Sequence, residues 1–368
     1  ERQGVKPKDL PFFLRPLTAA PVVTSRAPVP RFDLVPATAT QLHNQVGYGE
    51  KDATIAKAML YTLMPAGSVL KVPDSLWNNP LWASLLLGDA LRGGRVLIMA
   101  PSVKNAPAPG AGEMSLAEEL LSSLLVARKA LASEIAAAGG MLRVGIYDVA
   151  IPVDDIPARI DTALANRART PWLQQLEPFS AAVVDSLRAV SAALKASGFP
   201  ARRAAPPGAH DPGHPKLHMK AQFFASGAGW NDLLRDPAWG SLLARYFRDR
   251  AALVRSRDQY ADFFRVTQPA ESRATGGALF SQQAQAQKTD TAVYYLLQGS
   301  HNEDYRSALL DGEDLLLLAH FGAAVGIEDF VLLPSLCTWI DTPEQLHRYL
   351  PRKSTRERRI ADWARIMY

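Results

Sequence analysis

The sequence predicts an α/β layer sandwich, with a mixed central sheet and helices on both faces. Three observations predict it. Short apolar runs such as "RVLIMAP" and "MLRVGIYDV" have the length of buried strands. Longer runs with a helical period, several of them closed by glycine pairs, stand between such strands. The two kinds alternate at the spacing of a layered α/β domain, not of an all-helical or all-β one.

Taken in order, residues 1 to 40 carry Pro7, Pro11, Pro16, Pro21, Pro28, Pro30 and Pro36 with no sustained period. Residues 1 to 45 therefore read as an extended arm lying on something larger. "DATIAKAMLYTL" reads as a helix and "GSVLKVPD" as a strand. "NPLWASLLLGDALRGG" is a helix closed by Gly93 and Gly94, and "RVLIMAP" is a buried strand that enters a proline-rich loop at 101 to 112. From Ser115, the apolar residues Leu116, Leu120, Leu121, Leu124, Leu125, Leu131 and Ile135 hold a helical period until Gly139 and Gly140 end it, and "MLRVGIYDV" is the next strand. A polar stretch precedes the helix "FSAAVVDSLRAVSAALKASG". Strands in "KLHMKAQFF", "AVYYLLQGS" and "EDLLLL" follow. One lobe is expected over 46 to 226 and 291 to 340, with an insertion at 227 to 290 and a helical tail at 341 to 368 that turns Ile360, Trp363 and Ile366 inward.

Composition bounds the partners. With 368 residues, 48% apolar and 21% charged, the chain has the makeup of a soluble globular protein. Its longest apolar stretch is broken by His320, Glu328, Asp329 and glycines, so it is not a membrane span. A net charge of +5 and a pI near 9.3 favour anionic partners: phospholipid surfaces, phosphate esters or nucleic acid. The single cysteine, Cys337, excludes internal disulfides and a cysteine-based zinc cluster, and its apolar neighbours place it in the core. The chain opens on Glu1 without a charged-then-apolar leader. A removed signal peptide, a trimmed end or a missing upstream part would each account for that. Export is favoured over the cytoplasm because the chain starts without methionine and lacks reactive cysteine pairs.

The chemistry is concentrated in two segments. Side chains two apart on a strand leave from the same face, so in "KLHMKAQFF" His218 and Lys220 point together while Leu217, Met219 and Ala221 point into a core. His214 and Lys216 share that spacing but are split by Pro215, which suits a loop. In "AVYYLLQGSHNEDYRSALLDGEDLLLL", Ser300 and Asn302 are again two apart where a strand ends, and Glu313 opens the next strand. Phosphodiester cleavage without a metal needs a neutral imidazole to attack phosphorus and an acceptor for its other nitrogen. It also needs donors that meet the charge on the phosphoryl oxygens. His218, Glu313, and Lys220 with Asn302 and Ser300 fill those roles in order.

His218-x-Lys220, then Gly299-Ser300-x-Asn302 with Asp304-x-Arg306-Ser307 and Glu313, resembles the catalytic motif of the phospholipase D superfamily. The strand, helix and "RGGRVLIMAP" strand upstream are similar to the elements that precede the motif in each lobe of that family. The resemblance spans roughly residues 50 to 340. It implies an αβα sandwich lobe and a covalent phosphohistidine on His218. It further implies phosphate binding by Lys220 and Asn302, orientation of His218 by Glu313, and no metal or other cofactor. Two departures stand out. Ala225 occupies the family's usual acidic position five after the lysine, and some eighty positions separate the two segments where the family has about one hairpin. The intervening insertion, with Trp230, Trp239, Tyr246, Phe247 and several arginines, reads as a helical subdomain with its own core or as a lid over the site.

In this family two lobes build one site, with one histidine attacking and the other protonating the leaving group. This chain carries one such set. The second lobe is expected from an upstream half, as a separate chain, or from a homodimer, and the chain itself is expected to be the carboxyl-terminal half of a two-motif enzyme. The leading expectation is a phospholipase D-like phosphodiesterase that hydrolyses or transfers the phosphatidyl group of a phospholipid at a membrane surface. The alternatives are a nuclease of the same superfamily and a catalytically silent binding lobe. Nucleic acid is disfavoured because basic residues are scattered and not interleaved with stacking aromatics. Trp77 and Trp230 are the aromatic candidates for the substrate groove, with half-buried core as the alternative for Trp77. A metal stripe at His210, His214 and His218 is broken by Pro212 and Pro215. The basic tail reads as a solvated helix whose arginines touch an anionic membrane in the sharper alternative.

Overall fold

A computed structural model describes residues 39–47, 49–106, 111–152, 155–199, 215, 217–226, 231, 244, 247–248, 251, 294–309, 311–319, 327–352, 354–357 and 359. Eight strands form one mixed sheet: β1 (Ala39–Asn44), β2 (Val69–Pro73), β3 (Arg95–Pro101), β4 (Met141–Tyr147), β5 (Ala221–Ala225), β6 (Tyr294–Gly299), β7 (Glu313–Ala319) and β8 (Thr338–Ile340). Their spatial order is β1-β7-β6-β5-β2-β3-β4-β8. The three adjacent strands β2, β3 and β4 are parallel, and every other neighbouring pair is antiparallel. The predicted fold class, α/β with a mixed central sheet, is the one observed.

Among the described residues, ten helices fill the connections: α1 (Asp52–Leu63), α2 (Pro80–Leu91), α3 (Ala111–Ala130), α4 (Ala132–Ala137), α5 (Ile156–Ala168), α6 (Pro171–Leu176), α7 (Ala181–Ala196), α8 (Tyr305–Leu309), α9 (Ile327–Leu336) and α10 (Pro343–Leu346). Period-two alternation along the strands sends side chains to two separate cores. Leu97, Met99, Phe223 and Leu296 pack under α5, α7 and α9 on one face. Val96, Ile98, Phe224 and Leu297 pack under α1, α2 and α3 on the other. Each such aliphatic side chain, fully removed from water, contributes about 1.5 to 3 kcal/mol. Helix starts are fixed locally: Asn79 caps α2 by accepting from Leu81, Asp155 caps α5, and Ser180 caps α7. Among the described residues no helix is long and apolar enough to cross a membrane.

Several expectations change on contact with the structure. Six residues near the end of the expected arm, Ala39–Asn44, form the edge strand β1, because the β7 backbone supplies a ladder that their own composition does not advertise. The polar stretch before α7 contains α5 and α6. The single helix expected from Ser115 to Gly139 is divided at Leu131. The "KLHMKAQFF" ladder begins at Ala221, with Lys220 making one bridge to Asp74 and residues 217 to 219 leading in as unpaired chain. Cys337 is buried in the core, and burial raises its thiol pKa. Of the insertion, Asn231, Ala244, Phe247, Arg248 and Ala251 are described, and Ala244, Phe247 and Ala251 belong to the buried cluster beneath α5 and α7. Trp230, Trp239, Tyr246, His210, His214, and Ile360, Trp363 and Ile366 of the tail lie outside the described residues.

A buried charge cluster holds the α6 end to the sheet. Lys71 of β2, fully buried, pairs with Glu177, which Arg167 of α5 also meets at 3.0 Å. The Arg167 guanidinium stacks 3.8 Å from the Phe179 ring centre. Burial pulls the Lys71 pKa down and the Glu177 carboxylate opposes it.

Candidate functional site

One end of the sheet gathers the sequence's chemistry. There β2 leads out into Asp74, β5 is entered through Lys220, β6 ends at Gly299, β7 begins at Glu313 and β1 ends at Asn44 opposite it. This is the carboxyl end of the parallel strands, where open α/β sheets leave a crevice for ligands. Gly299 lies opposite Lys220 and donates its amide to the Lys220 carbonyl at 3.2 Å, so the two motif segments meet at adjacent strand ends. Gly299 has no alternative at its position. A Cβ there would land on the carbonyl oxygen of Asp314.

Alternation before β5 is as expected: Leu217 is buried, Met219 packs on the same core, and His218 is exposed. The approach to His218 is tied down by Asn105, a fully buried residue of the loop after β3. Its Nδ2 donates to the Pro215 carbonyl at 2.7 Å and to Val149 at 2.8 Å, and its carbonyl accepts from the Leu217 amide at 2.9 Å. The Lys220 ammonium donates to His218 Nε2. That contact occupies the Nε2 lone pair and leaves the ring proton on Nδ1. Burial first, and then the neighbouring Lys220 charge, lower the His218 pKa below its ordinary value, which favours neutral imidazole at neutral pH.

Ser300 and Glu313 also meet. The Ser300 hydroxyl donates to Glu313 Oε2 and accepts from the Asp314 amide at 3.0 Å. The hydrogen bond found for Glu313 thus runs to Ser300 and not to His218. Asn302 is buried with its Oδ1 unpartnered. Asp304 caps α8 by accepting from the Ser307 amide at 2.6 Å, and burial raises its pKa. The Arg306 side chain lies outside what is described. Trp77 is corrected to core. It is 1% exposed, packed among α1, α2 and the sheet, so no face of its ring meets a groove. Ala225 sits at the opposite end of β5 from Lys220, roughly 17 Å along the strand, and is fully buried. A carboxylate missing from that position takes nothing away from the groups around His218.

Beneath the surface pairs lies a polar layer that sequence reasoning missed. Lys57 and Tyr61 of α1, Asp74, His301 and Glu303 are all fully buried. Lys57 Nζ lies 2.8 Å from Glu303 Oε1, and the Tyr61 hydroxyl donates to the same oxygen at 2.6 Å. The Glu303 amide donates to Asp74 Oδ2 at 3.2 Å, and its carbonyl accepts from the Asn78 and Asn79 amides at 3.3 Å. Burial, then the Glu303 charge, raise both the Tyr61 and the Asp74 pKa. His301 Nδ1 is 2.8 Å from the Asn302 carbonyl and Nε2 is 3.0 Å from the Thr54 hydroxyl, which assigns the ring proton to Nδ1. Burial, followed by the Lys57 charge, drives the His301 pKa down to about 2, so this ring is neutral at any working pH. A signal for the layer was present in "DATIAKAMLYTL": Ala53, Lys57 and Tyr61 are spaced four apart and share the buried face, while Ile55, Met59 and Leu63 face out.

No protein-family model matches the chain, and the curated proteins give no match. Among solved structures the chain is similar to phosphatidylserine synthase from Haemophilus influenzae Rd KW20, with a TM-score of 0.40 and 10% identity. The similarity covers 89% of this chain and 44% of that one, so this chain spans less than half of that structure's length. Likeness at this level does not bear on the site or its chemistry.

Proposed function

We propose that the chain is a phospholipase D-like phosphodiesterase that hydrolyses or transfers the phosphatidyl group of a phospholipid through a phosphohistidine on His218. The observation that carries the reading is the His218 imidazole held against the Lys220 ammonium, at a strand end adjoining the one that carries Ser300 and its partner Glu313.

In this reading an arriving phosphodiester draws the Lys220 ammonium from His218 Nε2 to a phosphoryl oxygen, freeing the lone pair. Nε2 attacks phosphorus and forms the N–P bond while the P–O bond to the headgroup breaks. Asn302 meets a second phosphoryl oxygen through the N–H donors of its Nδ2. Glu313, its Oε2 engaged by Ser300, offers Oε1 to the Nδ1 proton of the imidazole. A second lobe of the same kind, from another chain or a second copy, supplies the acid that protonates the departing headgroup oxygen. Water or an alcohol then attacks phosphorus, gives its proton back to that group, and the N–P bond breaks. The partners of this account are a phospholipid surface and that second lobe.

The test is mass spectrometry of products after incubating the purified protein with mixed-headgroup vesicles, a short oligonucleotide and ethanol, beside a His218→Ala control. Phosphatidic acid and phosphatidylethanol are expected with the unaltered protein alone. Oligonucleotide cleavage without lipid turnover would replace the lipid reading with a nuclease. Full lipid turnover by His218→Ala would end both.

A further inference from the structure

Three residues of α1 reach the Gly299-Ser300-x-Asn302 loop from below. Thr54, Lys57 and Tyr61 contact His301, the Asn302 carbonyl and the Glu303 carboxylate respectively. Their spacing of three and four places them on one face of one helix. Lys57 is the centre of the set. Its ammonium has three donors. One goes to the Asn302 carbonyl at 3.2 Å and one to Glu303 Oε1 at 2.8 Å, and the ammonium lies 4.9 Å from the centre of the Trp82 ring, which the third can face. The Asn302 carbonyl also accepts from His301 Nδ1 at 2.8 Å, so both of its lone pairs are used. The peptide that carries the Asn302 side chain is thereby fixed from inside the protein, while Oδ1 of that side chain keeps no protein partner.

A buried ion pair is a costly way to obtain stability, since well-packed apolar residues at the same two positions often serve as well or better. What Lys57 supplies and an apolar residue does not is a defined direction for the Asn302 carbonyl. A rotation of that peptide would swing the carboxamide by more than the ångström that positioning tolerates.

We propose that Lys57 is a positioning residue for phosphoryl transfer: it holds the 301 to 303 backbone so that the Asn302 carboxamide stays ready for a phosphoryl oxygen, without touching the substrate. The inference rests on the reading that Asn302 meets the phosphoryl group. Glu303 holds Lys57, and Tyr61, Asp74 and the 78 to 79 backbone hold Glu303 in turn.

The test uses the neutral pair Lys57→Met with Glu303→Gln, which removes both buried charges together and spares the fold an unpaired one. The full chain is assayed on phosphatidylcholine vesicles with ethanol, measuring kcat, KM and melting temperature. The expected result is a kcat reduced about a hundredfold, with KM within threefold and melting within a few degrees. Adding Asn302→Ala to that pair is expected to cost almost nothing further, although Asn302→Ala alone costs as much. A merely structural Lys57 gives losses that multiply instead, and that outcome overturns the proposal. If the pair fails to fold, Lys57→Arg carries the test, since it keeps the charge but displaces the donors: a tenfold fall in kcat at unchanged melting is expected, and full kcat overturns the proposal. Loss of activity in Asn302→Ala with full activity in the charge-free pair would refute the positioning role alone. Full activity in Asn302→Ala would remove the reading beneath it, and absence of phosphodiester turnover by the unaltered chain, supplied with its second lobe, would remove both.

Discussion

Lowering the pH from 7.5 to 5.0 removes stability most of all through one buried side chain, His301, with exposed His218 acting in the same direction. In the folded protein its pKa lies at about 2, because the ring is enclosed and sits beside the Lys57 ammonium. In the unfolded chain it returns to about 6.5. Below that value the unfolded state binds a proton that the folded state refuses, so the stability contributed by the neutral ring is complete above pH 6.5 and is lost as pH falls. Each unit costs about 1.4 kcal/mol, which makes about 2 kcal/mol at pH 5.0, or roughly thirtyfold in the folding equilibrium. Asp74 and Asp304 act in the opposite sense. Their raised pKa values let the folded state keep protons that the unfolded chain has released, so acidification relieves them. The net pH profile therefore mixes both signs, and a variant is needed to isolate the histidine. Urea unfolding of the unaltered protein and of His301→Asn, each at pH 7.5 and 5.0, isolates it. The unaltered protein is expected to lose about 2 kcal/mol more than the variant across the two pH values. Equal losses, within about 0.5 kcal/mol, would refute the neutral buried ring and the layer built around it.

Three further outcomes follow from the same geometry. Gly299→Ala forces a Cβ onto the Asp314 carbonyl and is expected to destabilise by about 1 to 3 kcal/mol, read from the unfolding midpoint; unchanged stability would mean β6 and β7 are not packed this closely. Glu177→Gln leaves Lys71 and Arg167 facing each other in the core and is expected to cost about 3 to 5 kcal/mol, more than Lys71→Met, which leaves Arg167 still paired; the reverse order would contradict the assignment of Glu177 as the shared acceptor. In NMR titrations the His218 ring is expected to titrate below its ordinary 6.5, and Lys220→Met is expected to move the midpoint upward; a midpoint at or above 6.5 in the unaltered protein, or no upward shift in the variant, would contradict the lowering by burial and Lys220.

What the sequence revealed and what it hid divide along physical lines. Strands such as "RVLIMAP" are legible because burial on both faces demands an unbroken apolar run, and α2 and α7 because a cap and an apolar period mark them. α5 escaped notice since its buried face, Ile156, Pro157, Ile160 and Ala163, is short and mostly small and is interrupted by Arg159, Asp161 and Thr162, although Asp155 followed by Ile156 and Pro157 was a usable start signal. β1 has little apolar signature because it lies at the sheet edge and is held by backbone pairing to β7. Within the site, the spacing of His218 with Lys220, and of Ser300 with Asn302, was legible because two-residue periodicity is local. The support under Asn302 was not, since Lys57 stands 245 positions away and a lysine in a helix ordinarily points to water. The exposed Ile55, Met59 and Leu63 stripe compounds this, because apolar spacing alone would have turned α1 the wrong way round.

The most direct measurement of the central claim is trapping of the covalent intermediate. The protein, mixed with its second lobe if that proves to be a separate chain, is rapidly quenched with base after exposure to a short-chain phosphatidylcholine, and its peptides are mapped by mass. The account predicts a phosphatidyl adduct on His218, stable in base and lost in acid as a phosphoramidate is, absent in His218→Ala and diminished in Lys220→Met. Turnover of the lipid without any adduct at His218, or with an adduct on another residue, would contradict it.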